Sequence, residues 1–393
     1  MRRILPMKLL VATDHTYYRT PNGVFDTFCF DRNFFCDYRA VFDEVLVAAR
    51  MNTNAPPEHA HRSDGDGVRF VDLENVHGAR WALAPLNVFC GALPSAVASV
   101  DAVCVRLPAM SGVYAARLAR RAAKPLMFEQ VGDPRLIAAF GLTGRLFGNY
   151  LAFHNRRIVR RAEFGSYVSQ AHLQREYPAG PQTITEGISS IRLPNDEIRP
   201  ARRFNRPLDR LRIVLVASLH RYKDHATLLR AVKIAAAGEI KLEVDLIGDG
   251  PERAELELHV RQLDLVEAVR FHGHVAGRPQ VNAVLDGADL FVMPSLGEGM
   301  PRALIEAMSR GLPTLGAQTP AMGELLPADQ MFPATDHENL AAKLRAATAS
   351  SLNSWAKHSE ATVQRFADSV LSAKRRHLLT SLRRKARELH SHG

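Results

Sequence analysis

Short apolar, β-branched runs recur along the chain, and each is followed by a stretch whose apolar positions have helical spacing. The first half carries KLLVAT at 8–13, EVLVAAR at 44–50, AVCVRL at 102–107, PLMF at 125–128 and SYVS at 166–169. The second half carries RIVLVAS at 212–218, LEVDLIG at 242–248, VRFHG at 269–273 and DLFVMP at 289–294. Near-continuous apolar runs of this length suit strands buried on both faces, as in parallel sheets covered by helices. Strands alternating with helices predict an α/β architecture.

The alternation pauses at 189–211, where SSIRLPNDEIRPARRFNRPLDRL is polar and carries three prolines. This is the best domain boundary in the chain. A softer break, ATASSLNSW at 347–355, precedes a helical C-terminal stretch. The expected layout is therefore a first doubly wound domain over 1–195, a linker over 196–211 and a second doubly wound domain over 212–350. A basic helical tail over 351–393 is expected to pack back on the first domain. A length of 393 residues agrees with roughly 2–3 domains, and 46% hydrophobic residues suffice for two cores. Ligands of open α/β sheets bind outside the carboxyl ends of the strands. Two such domains facing each other would form a cleft, so residues just after strands are the ones to weigh.

Charge adds a second layer. The formal net charge is +10, which attracts nucleic acid, anionic lipid or phosphate-bearing small molecules. Much of it sits in the tail KRRHLLTSLRRKARELHSHG from Lys374, with Leu378, Leu379, Leu382 and Leu389 between the charges. Such a segment is either a terminal helix packed by its leucines or a surface that leans on anionic lipid. The start, MRRILPMKLLVAT, is a poor signal peptide, because its apolar run is short and lacks a small-residue cleavage site. From Trp81 to Val100 no residue is charged, yet Pro85, Asn87, Gly91, Pro94 and Ser95 interrupt the run. It reads as a buried or membrane-touching segment instead of a span. Cys29, Cys36, Cys90 and Cys104 form no CxxC pair, which suits a reducing compartment. The expected location is cytoplasmic, peripheral on the inner face of the cytoplasmic membrane.

The stretch SLGEGMPRALIEAMSRGLP at 295–313 holds the most informative chemistry. Glu298 falls in a glycine-containing loop after a strand, and Pro301 suits the first position of the following helix. Glu306 then lies in the second turn. The amides of Gly299 and Met300 belong to a loop and helix start that favour a phosphate. A carboxylate accepts two hydroxyl hydrogen bonds at once, so two glutamates flanking an anion site suit a sugar phosphate. The same residues would also serve as a helix-end charge and a buried structural glutamate.

Other fragments imitate known sites less well. GDGPERAEL from Gly248 half-copies a dinucleotide fingerprint, but Arg253 stands where a third glycine belongs, and Asp249 and Glu252 repel a pyrophosphate. Asp64-Gly65-Asp66 copies a metal-binding DxD but precedes an apolar run instead of ending one. His220, His225, His272 and His274 bunch without metal-ligand spacing.

EGMPRALIEAM from Glu298 resembles the two-glutamate motif of glycosyltransferase family 4, with seven residues between the glutamates. VASLHRYKDHATLLRA from Val216, LIGDGPERAEL from Leu246 and VRFHGHV from Val269 follow the family's order and spacing. In the first half, TDHTYYRTPNGVF and RLPAMSGVYAARLARRAAKP look like members that build bacterial surface polysaccharides. The resemblance implies a GT-B fold and a retaining sugar transfer from a UDP-, GDP- or dTDP-linked donor, with no cofactor and no essential metal. It implies exopolysaccharide, capsule or lipopolysaccharide synthesis on a glycan or lipid-linked acceptor; with the basic tail, such an acceptor makes an anionic membrane surface a further expected partner, and no nucleic acid is expected. By the same resemblance Glu306 holds the donor ribose, Glu298 contacts the donor sugar and Lys223 neutralises the diphosphate. Gly23 matches a glycine that lets backbone approach the donor; an ordinary Asn-Gly turn also accounts for it. Two positions depart from the family. Ser218 stands where an arginine is common, with Arg221 as a substitute charge, and Val131 stands where a histidine is common, with Asp133 close by. The competing functions are a related GT-B epimerase or phosphorylase, a non-catalytic nucleotide-sugar-binding protein and, more remotely, a nicotinamide oxidoreductase.

Overall fold

The computed structural model describes residues 6–27, 30–76, 91–136, 141–205, 208–275 and 277–391. They divide into two compact units, one of residues 1–189 and 371–393, the other of residues 190–370. Cys29, Cys90 and residues 81–90 of the uncharged run lie outside the described residues. From Gly91 onward the run continues as a short helix that buries Leu93, Ala96 and Val97. Among the described residues no helix is long and apolar enough to cross a membrane.

The first unit holds β1 (Lys8–Thr20), β2 (Gly23–Asp26), β3 (Glu44–Asn52), β4 (His61–Arg62) and β5 (Val68–Leu73). It continues with β6 (Ala102–Leu107), β7 (Leu126–Gln130), β8 (Phe164–Tyr167) and β9 (Ile184–Gly187). Parallel pairs run β5-β3-β1-β6-β7-β8-β9, while β2 and β4 extend the far end of β1 as antiparallel pairs. Every residue of β6 and β7 is buried, as an apolar run covered on both faces requires. Two helices of this unit matter below, α1 (Met110–Arg121) and α2 (Gly141–Val159).

The second unit holds β10 (Arg210–Val216), β11 (Lys241–Ile247), β12 (Val269–Gly273), β13 (Leu290–Met293), β14 (Thr314–Ala317) and β15 (Met331–Phe332). All are parallel, in the order β12-β11-β10-β13-β14-β15. Its core joins Ile213 and Leu215 to Leu228, Leu229 and Val232 of α3 (His225–Ala235), and to Leu290 and Val292. Strand order reverses between β10 and β13, which makes their carboxyl ends the natural ligand crevice of a doubly wound sheet. Both units are Rossmann-like, doubly wound α/β domains.

The polar stretch after Ser189 is woven onto the second unit. Arg199 and Arg202 donate backbone N–H bonds to Ser309 and Gly311, and Phe204 donates to the Asn353 side chain. The helix after α4 (Arg302–Ser309) that begins the C-terminal stretch, α5 (Ala349–Val363), belongs to the second unit as well. The last helix, α6 (Asp368–Ser391), lies in the first unit from Leu371 onward. Leu378, Leu379 and Leu382 are fully buried there, so the leucines between the tail's charges face protein and not lipid. That corrects the lipid-leaning reading of the tail: its apolar side is already spent on folding. Leu389 alone of the four is exposed.

Candidate functional site

Two loops meet at the reversal of strand order in the second unit. The first follows β10. After Ala217–His220 the chain makes one 3-10 turn, Arg221–Lys223, and enters α3 through Asp224. Asp224 has φ 51° and ψ 46°, the left-handed conformation that a short polar side chain tolerates best. Its carboxylate accepts a 2.7 Å bond from the Thr227 hydroxyl, which steadies this unusual entry. Burial pushes the Asp224 carboxyl above its ordinary value, against the pull of those Thr227 bonds. His225 follows, buried and lowered to about 4 by burial and by the Lys223 charge, so its ring is neutral.

The second loop follows β13. Pro294 and Ser295 are buried, and the Leu296 N–H donates to the Tyr222 carbonyl at 2.8 Å, tying the loops together. That contact delivers Lys223 to Glu298. Lys223 Nζ donates to Glu298 Oε1 at 2.5 Å, with only 13% and 12% of the two side chains exposed. The ammonium also stands 4.9 Å over the Tyr222 ring.

From Glu298 the loop runs through half-buried Gly299 and buried Met300 into α4. Pro301 caps that helix (φ −77°, ψ 87°) instead of opening it, one position earlier than its sequence role suggests. No side chain caps the helix and no acidic residue lies in its first turn, so the N-terminal amide dipoles face the loop uncompensated. Glu306 sits in the second turn. Burial raises its carboxyl above the ordinary range; Arg302 and Arg278 pull it down, and Glu197 pushes it up.

A third loop backs the other two. Gly248, at φ 133°, passes so close to Ala217 that a Cβ there would strike the Ala217 carbonyl, and Gly250 crowds Leu219 in the same way. Leu219 N–H donates to Asp249 at 3.0 Å, and Glu252 N–H donates to Leu219 at 3.1 Å. The glycines of GDGPERAEL thus serve close packing against the β10 loop, which explains why they imitate a dinucleotide fingerprint without completing it.

The remaining candidates fall as follows. Ser218 is half-buried in the β10 loop, where its carbonyl accepts from His220 N–H at 2.8 Å. Arg221 is exposed in the same turn as Lys223. Gly23 belongs to the first unit, as the first residue of β2 after the turn from β1, at φ 139° and against the Asp64 carboxylate. Asp64 is salt-bridged to Arg62 at 2.7 Å. Val131 follows β7, its N–H bonded to Leu107. Asp133 is held by Arg135 and by the Tyr177 hydroxyl at 2.6 Å, which keep its carboxyl below the usual range against the opposing effect of burial. Among the described residues no three His, Cys, Asp or Glu side chains cluster as a metal site. Sequence reasoning missed Tyr222, Asp224 and Arg278. It missed Arg302 as well, which the spacing could have revealed, because Arg302 stands four residues before Glu306 on one helix.

Residues 197–364 match the family described as Glycosyl transferases group 1. Protein CapJ of Staphylococcus aureus is 25% identical over 307 residues, 76% of each chain. The amylovoran biosynthesis glycosyltransferase AmsK of Erwinia amylovora is 34% identical over 124 residues, 30% of each chain. Among solved structures, Anabaena HepE in complex with UDP and glucose superposes with a TM-score of 0.68 at 18% identity, over 95% of this chain and all of that one. With the segment 197–364 in the glycosyl transferases group 1 family, the chain is a glycosyltransferase of the GT-B fold.

Proposed function

We propose that the site at the carboxyl ends of β10 and β13 holds a nucleoside diphosphate sugar and transfers its sugar with retention, without a metal. The observation that carries this reading is the half-buried Lys223–Glu298 pair beside the uncapped start of α4. As the C1–O bond to the diphosphate breaks, the electron pair leaves with the phosphate, and the acceptor hydroxyl oxygen forms the new bond as its proton passes to the departing phosphate oxygen. Lys223 and the α4 amides neutralise the departing charge, with Arg221 as a second cation on the same turn. Glu298 faces the sugar, where positive charge develops. Glu306 accepts from the ribose hydroxyls, with Gly299, Met300 and Ser218 supplying backbone around the diphosphate. HepE, which was solved with UDP and glucose, supports a uridine diphosphate sugar among the candidate donors. A relative named for amylovoran biosynthesis supports a surface polysaccharide, built on a glycan or lipid-linked acceptor at the inner face of the cytoplasmic membrane.

A thermal-shift screen against UDP-, GDP- and dTDP-sugars tests the reading directly. A donor at a hundredfold over its Kd stabilises the protein by about 2.7 kcal/mol, an increase in Tm of several degrees. EDTA should leave turnover intact. No shift with any nucleotide sugar, or activity lost on chelation and restored by magnesium, overturns the proposal.

A further inference from the structure

Helix α2 carries apolar side chains on two opposite sides. One side is buried through Gly144, Gly148, Leu151, Ala152 and Ile158. On the other, Leu142, Leu146, Tyr150 and Phe153 are 71%, 63%, 41% and 54% exposed. With 3.6 residues per turn these four fall within an arc of about 80°. A surface helix normally shows polar residues to water, and a contiguous apolar stripe marks an interaction face.

The stripe has a cationic border. A groove of about 490 Å³ lies beside it between α1 and α2, edged by Arg117, Arg120, Arg121, Lys124, Arg157 and Arg161 and opposed by Glu163. The sequence holds no Asp or Glu from 102 through 128 or from 134 through 162. The Arg157 guanidinium stands 5.5 Å over the Phe153 ring, so charge and apolar stripe are one continuous surface. Concentrating like charge this way is unfavourable unless an anionic partner compensates it.

We propose that this face is an interfacial membrane contact. Helix α2 lies in the plane of an anionic phospholipid surface, its stripe at the headgroup–acyl boundary and the groove cations on lipid phosphates. The proposal rests on the membrane-facing reading above but on none of its donor chemistry. Charge decides the occupant: a second copy would bring cation onto cation, whereas an anionic bilayer matches both the stripe and its border. The C-terminal helix is the poorer candidate, because all its leucines but Leu389 are buried.

The test is co-sedimentation of the full chain with phosphatidylglycerol-containing vesicles and with pure phosphatidylcholine vesicles. The protein should sediment with the first and stay free of the second, and about 0.5 M salt should weaken the binding. The double variant Leu146→Ser/Phe153→Ser should bind at least about tenfold more weakly, from lost apolar burial. Arg117→Ala/Arg121→Ala should bind weakly and with less salt dependence. Arg384→Ala/Arg387→Ala in α6 should bind as the parent does. If the serine variant fails to fold, Phe153→Trp gives an independent reading: its emission should shift to the blue on adding anionic vesicles. Donor-induced thermal shifts should be unchanged in every variant, so failure here is distinct from failure of the donor site. The proposal is overturned if the parent ignores anionic vesicles, if the introduced tryptophan stays in water, or if the α6 variant is the one that loses binding. A solution dimer dissociated by Leu146→Ser/Phe153→Ser would overturn it too, assigning the face to a second copy.

Discussion

The half-buried ion pair of Lys223 and Glu298 links two residues whose proposed partners differ, phosphate for one and sugar for the other. Before the donor arrives, each neutralises the other, and a diphosphate must compete with Glu298 for the ammonium. Glu298→Ala should therefore leave UDP or GDP binding unchanged or tighter while turnover falls; titration calorimetry with the bare nucleotide checks it. Abolished nucleotide binding in that variant would reverse the assigned roles. Glu306 poses the opposite problem, a buried carboxylate whose burial opposes ionisation. Its folded pKa is raised, so the native state holds the proton more tightly than the unfolded chain. Stability is then fullest below the ordinary carboxyl value of about 4.5 and is lost as pH rises through the folded value. Above that value the charge is a burden that Arg302 and Arg278 relieve only in part and that a hydroxyl-rich ligand relieves further. Glu306→Gln should raise Tm at neutral pH, with the gain shrinking as pH falls toward the ordinary value, and should weaken nucleotide binding by roughly 10–150-fold. A variant that is no more stable, or that binds nucleotide normally, refutes the ribose role.

At the level of elements, the apolar runs announced β1, β3, β6, β7, β10, β11 and β13 because those strands are largely buried, and VRFHG announced β12 although its Arg270 and His272 are exposed. The run at 166–169 announced β8 two residues late. Strands β5, β9 and β14 gave no such signal. Val68–Leu73 carries exposed Arg69 and Asp72, Ile184–Gly187 is an exposed edge, and Thr314–Ala317 is four residues with a glycine. The candidate site was legible as residue types after strands, since Lys223 and Glu298 stand where a doubly wound sheet exposes its loops and Glu306 in the helix that follows one. What spacing could not convey is the 2.8 Å bond between Leu296 and Tyr222, seventy-four positions apart, that brings two of them together. The loop glycines that back this arrangement offer a test. Gly248→Ala would force a side chain into the left-handed φ and onto the Ala217 carbonyl, displacing the β10 loop. It should cost roughly 2–4 kcal/mol of stability and weaken nucleotide binding, although no ligand is proposed to touch Gly248. Urea unfolding and calorimetry on one preparation check both; a variant with parental stability would mean that the loop yields easily.

Across the whole molecule, the first unit is completed only by the last residues of the chain. Its sheet is built before residue 190, yet α6 returns from Leu371 onward to bury Leu378, Leu379 and Leu382 completely. The helix is also fastened by charge. Arg375 meets Asp37 at 2.8 Å with both side chains almost fully buried, Ser372 donates to the same carboxylate, and Arg383 meets Asp43 at 2.8 Å. Three buried leucines contribute about 1.5–3 kcal/mol each, which together approaches the entire stability of an ordinary domain. Removing residues 371–393 should therefore unfold the first unit. The second unit should survive, since residues 190–370 contain its whole sheet and the candidate donor site. A UDP- or GDP-sugar that stabilises the full chain should still raise the remaining melting transition of the truncated one. Arg375→Ala separates packing from charge. It keeps the leucines but takes from Asp37 its buried cation, leaving the longer 3.6 Å contact with the more exposed Arg376, at a cost of up to about 3–5 kcal/mol. Adding Asp37→Asn removes the stranded charge and should return part of that loss. If the truncated chain instead melts as the full chain does, the C-terminal helix is dispensable to the fold, and its basic charge would have to be explained by a partner outside the molecule.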